Sequence, residues 1–323
     1  MIPRIKIAHL PTPLEAMPRL SAALAGPRLF VKRDDQTGLA LGGNKIRKLE
    51  YVLAEAQANG ARTLVTVGAV QSNHCRQTAA LAARFGLGCV LVLSGEDDQA
   101  ANGNLLLDRL FGAELVWARR EDRDSTLQAA FEQAWVEGRR PYLIPLGAST
   151  AVGSLGYVSA FEELMGQGLN PDWIVVASSS AGTQAGLVLA AKRAEWKGNI
   201  LGISIDHGEL DLKERVAELA NQAAERFGER VDINRNEILV NADYLGEGYG
   251  VISTGEIEAI RLFARTEGLL LEPVYTGRAA AGLVDLIRQG FFKPEERVLF
   301  WHTGGIPALF AEKYASLFSD MKS

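Results

Sequence analysis

Short apolar runs recur along this chain, most followed by a segment of helical periodicity, and that alternation constrains the fold more than any other feature. Residues 63–67, 89–93, 114–118, 142–146, 173–177, 200–205 and 297–301 read as strands, several too continuously apolar to leave one face in water. Between them, residues 44–59 carry Ile46, Leu49, Val52, Leu53 and Ala56 on one helical face. Residues 72–85, 103–111, a polar stretch through 134, a segment from 182, and residues 209–226, 255–267 and 277–289 continue the pattern. Repeated β-α units with short connections predict parallel sheets covered by helices. The Gly/Ser-rich stretch 147–156 is the expected boundary between two such sets, with the ligand site between them. At 323 residues, 47% hydrophobic and 23% charged, the chain can bury a substantial core without staples.

A formal charge of −5 and the lack of long Lys/Arg runs argue against nucleic acid as a partner. The start lacks a signal-like apolar stretch and no run approaches a membrane span, so a cytoplasmic protein is expected. Two cysteines, Cys75 and Cys89, predict no disulfide framework. The histidines His9, His74, His207 and His302 show no metal-ligand spacing, and no metal is expected.

Chemistry concentrates where strands end. Gly42-Gly43-Asn44-Lys45 runs two glycines into a helix start bearing an amine, and Lys45 is a candidate covalent anchor for a carbonyl cofactor. Such a lysine must be neutral to react; the helix N-terminus and Lys48, one turn on, are the expected biases. Ser178-Ser179-Ser180-Ala181-Gly182-Thr183 follows a strand and opens a helix, which suits an anion held by backbone N–H groups and hydroxyls. It lacks the spacing of nucleoside-triphosphate and dinucleotide loops, so the phosphate of a smaller cofactor fits better. Ser72 and Asn73 also emerge at a strand end, one able to exchange protons and the other to bond an aromatic hydroxyl; either can equally be an N-cap. His74 and Cys75 read as packing residues. Tyr249 and Tyr275 sit in glycine-flanked or turn-like contexts and can stack on a ring or supply a proton, and Thr303 ends the last strand. An amine, a phosphate cup and phenols together fit pyridoxal 5'-phosphate.

These motifs, in order, identify a resemblance. Residues 9–15, Arg33-Asp34-Asp35, the Lys45 and Ser72 segments, Ser180-Ala181-Gly182-Thr183, Pro273-Val274-Tyr275 and His302-Thr303-Gly304-Gly305 are similar to the pyridoxal-phosphate enzymes that include D-cysteine desulfhydrase, L-cysteate sulfo-lyase and 1-aminocyclopropane-1-carboxylate deaminase. The resemblance implies the tryptophan-synthase-β-like fold: two open, twisted, mostly parallel sheets flanked by helices, with the cofactor between two domains. The expected division is 1–47 with 148–323, larger and cofactor-binding, and 48–147, smaller. It also implies a homodimer acting on a small amino acid.

By the same resemblance Lys45 is the Schiff-base lysine and the proton-transfer group, and Asn73 bonds the ring hydroxyl. Ser72 lies against the substrate carboxylate or a moving proton. Ser180, Ala181, Gly182 and Thr183 hold the phosphate, Tyr275 stacks on the ring, and Tyr249 lies near the substrate. The deaminase branch has Glu and Leu where this chain has Thr276 and Thr303, as in the desulfhydrase branch. A hydroxyl beside the ring nitrogen supports a weaker electron sink than a carboxylate. Elimination of a good β-leaving group tolerates that better than opening a cyclopropane, so a carbon–sulfur lyase is the expected activity. Local likeness at 35–39 and 243–250 favours the sulfo-lyase within that branch. The alternatives are the deaminase and a catalytically silent ligand-binding protein on the same fold.

Overall fold

A computed structural model describes residues 2–96 and 100–319. The strands form two sheets. One has six strands in the order β1 (Leu14–Ala16), β2 (Arg28–Arg33), β10 (Arg297–His302), β7 (Trp173–Ser178), β8 (Asn199–Ser204) and β9 (Leu239–Asn241). Only β1 runs antiparallel to its neighbour. The other sheet is wholly parallel, in the order β5 (Glu114–Ala118), β4 (Gly88–Ser94), β3 (Thr63–Ala69) and β6 (Pro141–Ile144). This is the α/β architecture expected from the alternating pattern. The central runs are apolar along their whole length because helices cover both faces, as the buried course of β3 illustrates.

Helices α1 (Pro18–Leu24), α9 (Thr254–Glu267) and α10 (Thr276–Arg288) share one core with the six-stranded sheet. On its other face lie α6 (Ala151–Gly166), α7 (Gly182–Arg193) and α8 (Glu209–Glu225). Around the smaller sheet are α2 (Lys45–Ala58), α3 (Asn73–Phe85), α4 (Gly103–Leu110) and α5 (Arg123–Val136), and α11 (Glu312–Ser319) closes the described chain. Local signals set several ends. Ser72 caps α3, which stops at a left-handed Gly86, and a reciprocal Ser253/Glu256 capping box starts α9.

The stretch 147–156 leads from β6 of the smaller sheet into a helix packed on the larger one. After a short 3-10 turn, Thr150 caps α6 by accepting from the Gly153 amide, and the helix runs through the glycines. A Cβ on Gly156 would overlap the Arg47 carbonyl, so the small residues are there to let α6 cross α2 closely. That crossing carries a buried polar hub. Asp34 accepts from Arg47 Nε at 2.9 Å and Nη2 at 2.8 Å, from Tyr157 OH at 2.6 Å, Trp301 Nε1 at 2.8 Å and Thr12 Oγ1 at 3.0 Å. Strand β2, helices α2 and α6 and strand β10 are thereby tied through one carboxylate.

Candidate active site

In both sheets the residues just past the C-terminal strand ends meet at one cavity of about 410 Å³. Its wall includes Ser72 and Asn73 after β3, Ser180 and Ala181 after β7, Asp206 after β8, and Thr303 and Gly304 after β10. A crevice beyond the carboxyl ends of parallel strands is where such sheets bind ligands. Lys45, Thr183, Tyr249 and Tyr275 complete the candidate residues that line it.

Lys45 is the first residue of α2. The turn before it needs glycine: Gly42 has φ +66°, and a Cβ there would overlap the Asp35 carbonyl. Burial pushes the amine down to about 8. This departs from the sequence expectation, in which the helix N-terminus and Lys48 supplied the bias; removal from water is what counts. The like charge acts the other way. Lys48 is fully buried, and burial first, then Lys45, drives its pKa well below the ordinary lysine value.

Lys48 is a candidate that sequence reasoning cast only as a source of repulsion; it does not itself line the cavity. Its Nζ donates to Ser149 Oγ at 3.0 Å and to the Gly147 carbonyl at 3.3 Å, and a Cβ on Gly182 would lie 2.8 Å from it. Among the described residues no carboxylate pairs with it. A buried amine with no carboxylate partner, its charged form disfavoured by burial and by Lys45, fits an anionic ligand group that would favour its protonation, beside the N-terminus of α7. The rest of the cup agrees. Ser149 Oγ and Ser180 Oγ are 2.8 Å apart, and the Gly182 amide donates to Ser149 Oγ at 3.3 Å. Ala181, at φ +66°, is a non-glycine held in the left-handed region at the turn into the helix. Asn44 Nδ2 donates to Thr183 Oγ1 at 3.0 Å, joining the lysine's turn to the cup. Gly182, expected in the cup, does not itself line the cavity.

Ser72 caps α3 and also lines the cavity. Its Oγ accepts from the Cys75 amide at 3.1 Å as an N-cap, which leaves its hydroxyl proton for a ligand in the cavity. His74 is buried and held: Thr66 Oγ1 donates to the Ile144 carbonyl at 2.7 Å, so His74 Nε2 donates to Thr66 Oγ1 at 2.8 Å. Burial, then Lys45 and Lys48, keeps that ring neutral. Cys75 is likewise buried, its thiol pushed up by burial and then by Asp108, which makes it a packing residue.

The two tyrosines come together. Their hydroxyls are 2.7 Å apart and their rings meet edge-on at 5.9 Å and 73°. Burial raises both phenols, so they are proton donors at neutral pH and not phenolates. Thr276, expected at the cofactor's ring, does not line the cavity. Its Oγ1 accepts from the Glu272 amide at 2.9 Å and its own amide donates to Glu272 Oε1 at 2.7 Å, so the side chain closes the first turn of α10. Glu272, which the sequence reading left without a role, is the buried carboxylate of that turn. It accepts from the amides of Val274, Tyr275 and Thr276. Burial raises it to about 7 against the pull of those three donors.

No group of three or more His, Cys, Asp or Glu side chains among the described residues could hold a metal. Nor, among them, is any helix long and apolar enough to cross a membrane.

A buried amine facing an anion cup across a phenol-lined cavity between two parallel sheets defines the class: an enzyme fold that holds a phosphorylated carbonyl cofactor. A profile of the pyridoxal-phosphate dependent enzymes matches residues 5–304, and the chain belongs to that family. It is similar over 98% of its length to the solved structure of an ACC deaminase homologue, at 38% identity and a TM-score of 0.90, covering 97% of that chain. An L-serine ammonia-lyase from the fungus Rhizomucor miehei shares the fold at 18% identity, with a TM-score of 0.68 and coverage of 96% and 99%. Threonine deaminase isoform 2 from Solanum lycopersicum does so at 17%, with a TM-score of 0.63 and coverage of 91% and 79%.

Proposed function

We propose that this protein is a carbon–sulfur lyase of the pyridoxal-phosphate dependent family. It eliminates the β-sulfur group of a three-carbon amino acid, of the L-cysteate or D-cysteine type, to give pyruvate, ammonia and sulfite or sulfide. The cofactor supplies an electron sink for the bond to the substrate's α-carbon. Lys45 would hold it covalently, and its Nζ would take the α-proton from the substrate; burial lowers that amine to about 8, within reach of neutral pH. Lys48, Ser180, Ala181 and Thr183 receive the phosphate. Ser72 at the start of α3 binds the substrate carboxylate, aided by the unpaired amides of that helix end. Loss of the sulfur group with its bonding electrons and hydrolysis complete the reaction.

The observation that carries this reading is the wall supplied by the Tyr249 turn, the start of α10 and the end of β10. It presents Tyr249, Tyr275 and Thr303 to the cavity, with no carboxylate among them. The carboxylates that do line the cavity, Glu96 and Asp206, come from the loops after β4 and β8 and not from this part of the wall. A neutral stretch of wall supports a strongly stabilised carbanion less well than a carboxylate does, and a good leaving group needs less of that support. The similarity to an ACC deaminase homologue keeps deamination of the cyclopropane amino acid as the second reading.

Parallel turnover of L-cysteate, D-cysteine, L-cysteine, D-serine and 1-aminocyclopropane-1-carboxylate decides between them. Pyruvate from a sulfur amino acid is expected as the preferred product; preferential release of 2-oxobutanoate from the cyclopropane substrate overturns the proposal. Lys45→Ala is expected to remove the borohydride-reducible cofactor adduct. Retention of such an adduct in that variant would displace Lys45 from its role.

A further inference from the structure

Asn104, the second residue of α4, is fully buried and stands outside the cavity wall. Its side-chain nitrogen lies 2.8 Å from the Gln71 carbonyl oxygen and 2.9 Å from Asn73 Oδ1. These two contacts decide an orientation. A backbone carbonyl can only accept, so the Asn104 atom facing Gln71 is its NH₂ group. That NH₂ can only donate, so the Asn73 atom facing it is the carbonyl oxygen. Asn73 must therefore turn its own NH₂ the other way. There, a Cβ on Gly305 would lie 2.6 Å from Asn73 Nδ2, next to the cavity-lining Thr303 and Gly304. Among the described residues no hydrogen bond occupies that NH₂.

The clamp is built from both sides. Gln71 Oε1 accepts from the Asn104 amide at 2.7 Å, and Gln71 Nε2 reaches the Asn102 carbonyl and side-chain oxygens at 3.2 Å each. Gly103, at φ +54°, admits this approach, because a Cβ there would collide with Gln71 Oε1. Helix α4 is thus seated against the loop between β3 and α3 by its first two residues.

We propose that Asn104 is a positioning residue that locks Asn73 as a hydrogen-bond donor, never an acceptor, toward the ring oxygen of the bound cofactor. The proposal rests on the reading of Asn73 as the ring-oxygen partner and is independent of which substrate is used. A donor at that place stabilises the ring oxygen as an anion, since hydrogen bonds to a charged acceptor are the stronger kind. The proton then stays on the nitrogen through which the cofactor is attached, the form with the long-wavelength absorption band.

The test is the absorption spectrum of the substrate-free holoenzyme. Asn104→Asp replaces the donor by an acceptor of the same shape and should draw the Asn73 NH₂ away from the cavity. The ratio of the long-wavelength to the near-ultraviolet band is expected to fall about tenfold or more. Asn104→Ala, which removes the lock without adding charge, should lower it less and serves if the Asp variant does not fold. Asp108→Asn, also buried on α4 but bonded to neither Asn73 nor Gln71, controls for general loosening and should leave the ratio as it is. An unchanged ratio in both Asn104 variants overturns the proposal, and so does an equal fall in Asp108→Asn. Asn73→Ala separates the two ways to fail. If it does not move the spectrum, Asn73 is not at the ring oxygen and the proposal falls with it. If it does while the Asn104 variants do not, only the role of Asn104 falls.

Discussion

Two lysines one turn apart are both buried and both held below the ordinary lysine value, and they differ in what surrounds the amine. Lys45, lowered to about 8 by burial, becomes the neutral, reactive amine as pH rises through that value and not through the ordinary 10.5. The rate at which the cofactor-free protein captures pyridoxal 5'-phosphate is therefore expected to rise with pH to a half-maximum near pH 8; a midpoint near the unperturbed lysine value would remove burial as the activating factor. Lys48 instead awaits an anion. Lys48→Met is expected to weaken binding of pyridoxal 5'-phosphate about tenfold to a hundredfold, the worth of one charge-assisted hydrogen bond, while affecting pyridoxal, which lacks the phosphate, far less. Equal losses for the two compounds would show that Lys48 acts on something other than the phosphate.

At the scale of elements, the contact between α2 and α6 aligns the lysine helix with the phosphate cup. Gly156 lets the two helices touch, and Gly156→Val is expected to destabilise the protein by about 1–3 kcal/mol, read from the denaturation midpoint. Asp34 binds the same crossing to both neighbouring strands. Burial alone would raise its carboxyl, but Arg47 and the Tyr157 and Trp301 donors outweigh burial and hold it below the usual carboxylate value. A group depressed in the folded state contributes stability above its unfolded pKa and loses it as pH falls through the folded one. Stability is thus expected to decline below about pH 4. In Asp34→Ala, which leaves Arg47 without that carboxylate, the protein should be about 3–5 kcal/mol less stable at neutral pH, with a shallower acid dependence. Urea titrations across pH measure both.

For the whole molecule, the decisive arrangement is that one cavity draws its walls from two sheets. A cofactor bound there contacts both and has no site in the unfolded chain, so saturating pyridoxal 5'-phosphate is expected to raise the melting temperature by several degrees. A melting temperature indifferent to the cofactor would mean that the two sheets are not joined through it.

The periodicity of apolar residues was enough to read the strands from β3 to β8 and β10, with the helices between and after them except α6, because strands buried on both faces and helices buried on one leave different spacings in the chain. It missed β1, β2 and β9, which are short or lie at or near the sheet edge, where alternation with exposed residues blurs the signal. Residues 147–156, read as the boundary between the two sets of units, also hold the start of α6, which stayed hidden because glycine that permits a close helix crossing looks in sequence like glycine that permits a turn. Ser72, Asn73, Ser180, Ala181, Thr183 and Thr303 were legible from motifs at strand ends, where a parallel sheet exposes whatever follows it, and Lys45, Tyr249 and Tyr275 from glycine-flanked or turn-like segments. What only the tertiary structure decided concerns direction and partnership. Thr276 turns into its own helix, Lys48 faces the cup without a counter-charge, and Asn104 dictates which end of Asn73 meets the ligand. Sequence specifies which groups a residue carries; which of them points where depends on neighbours distant along the chain, and those become neighbours only when the sheets and helices have packed.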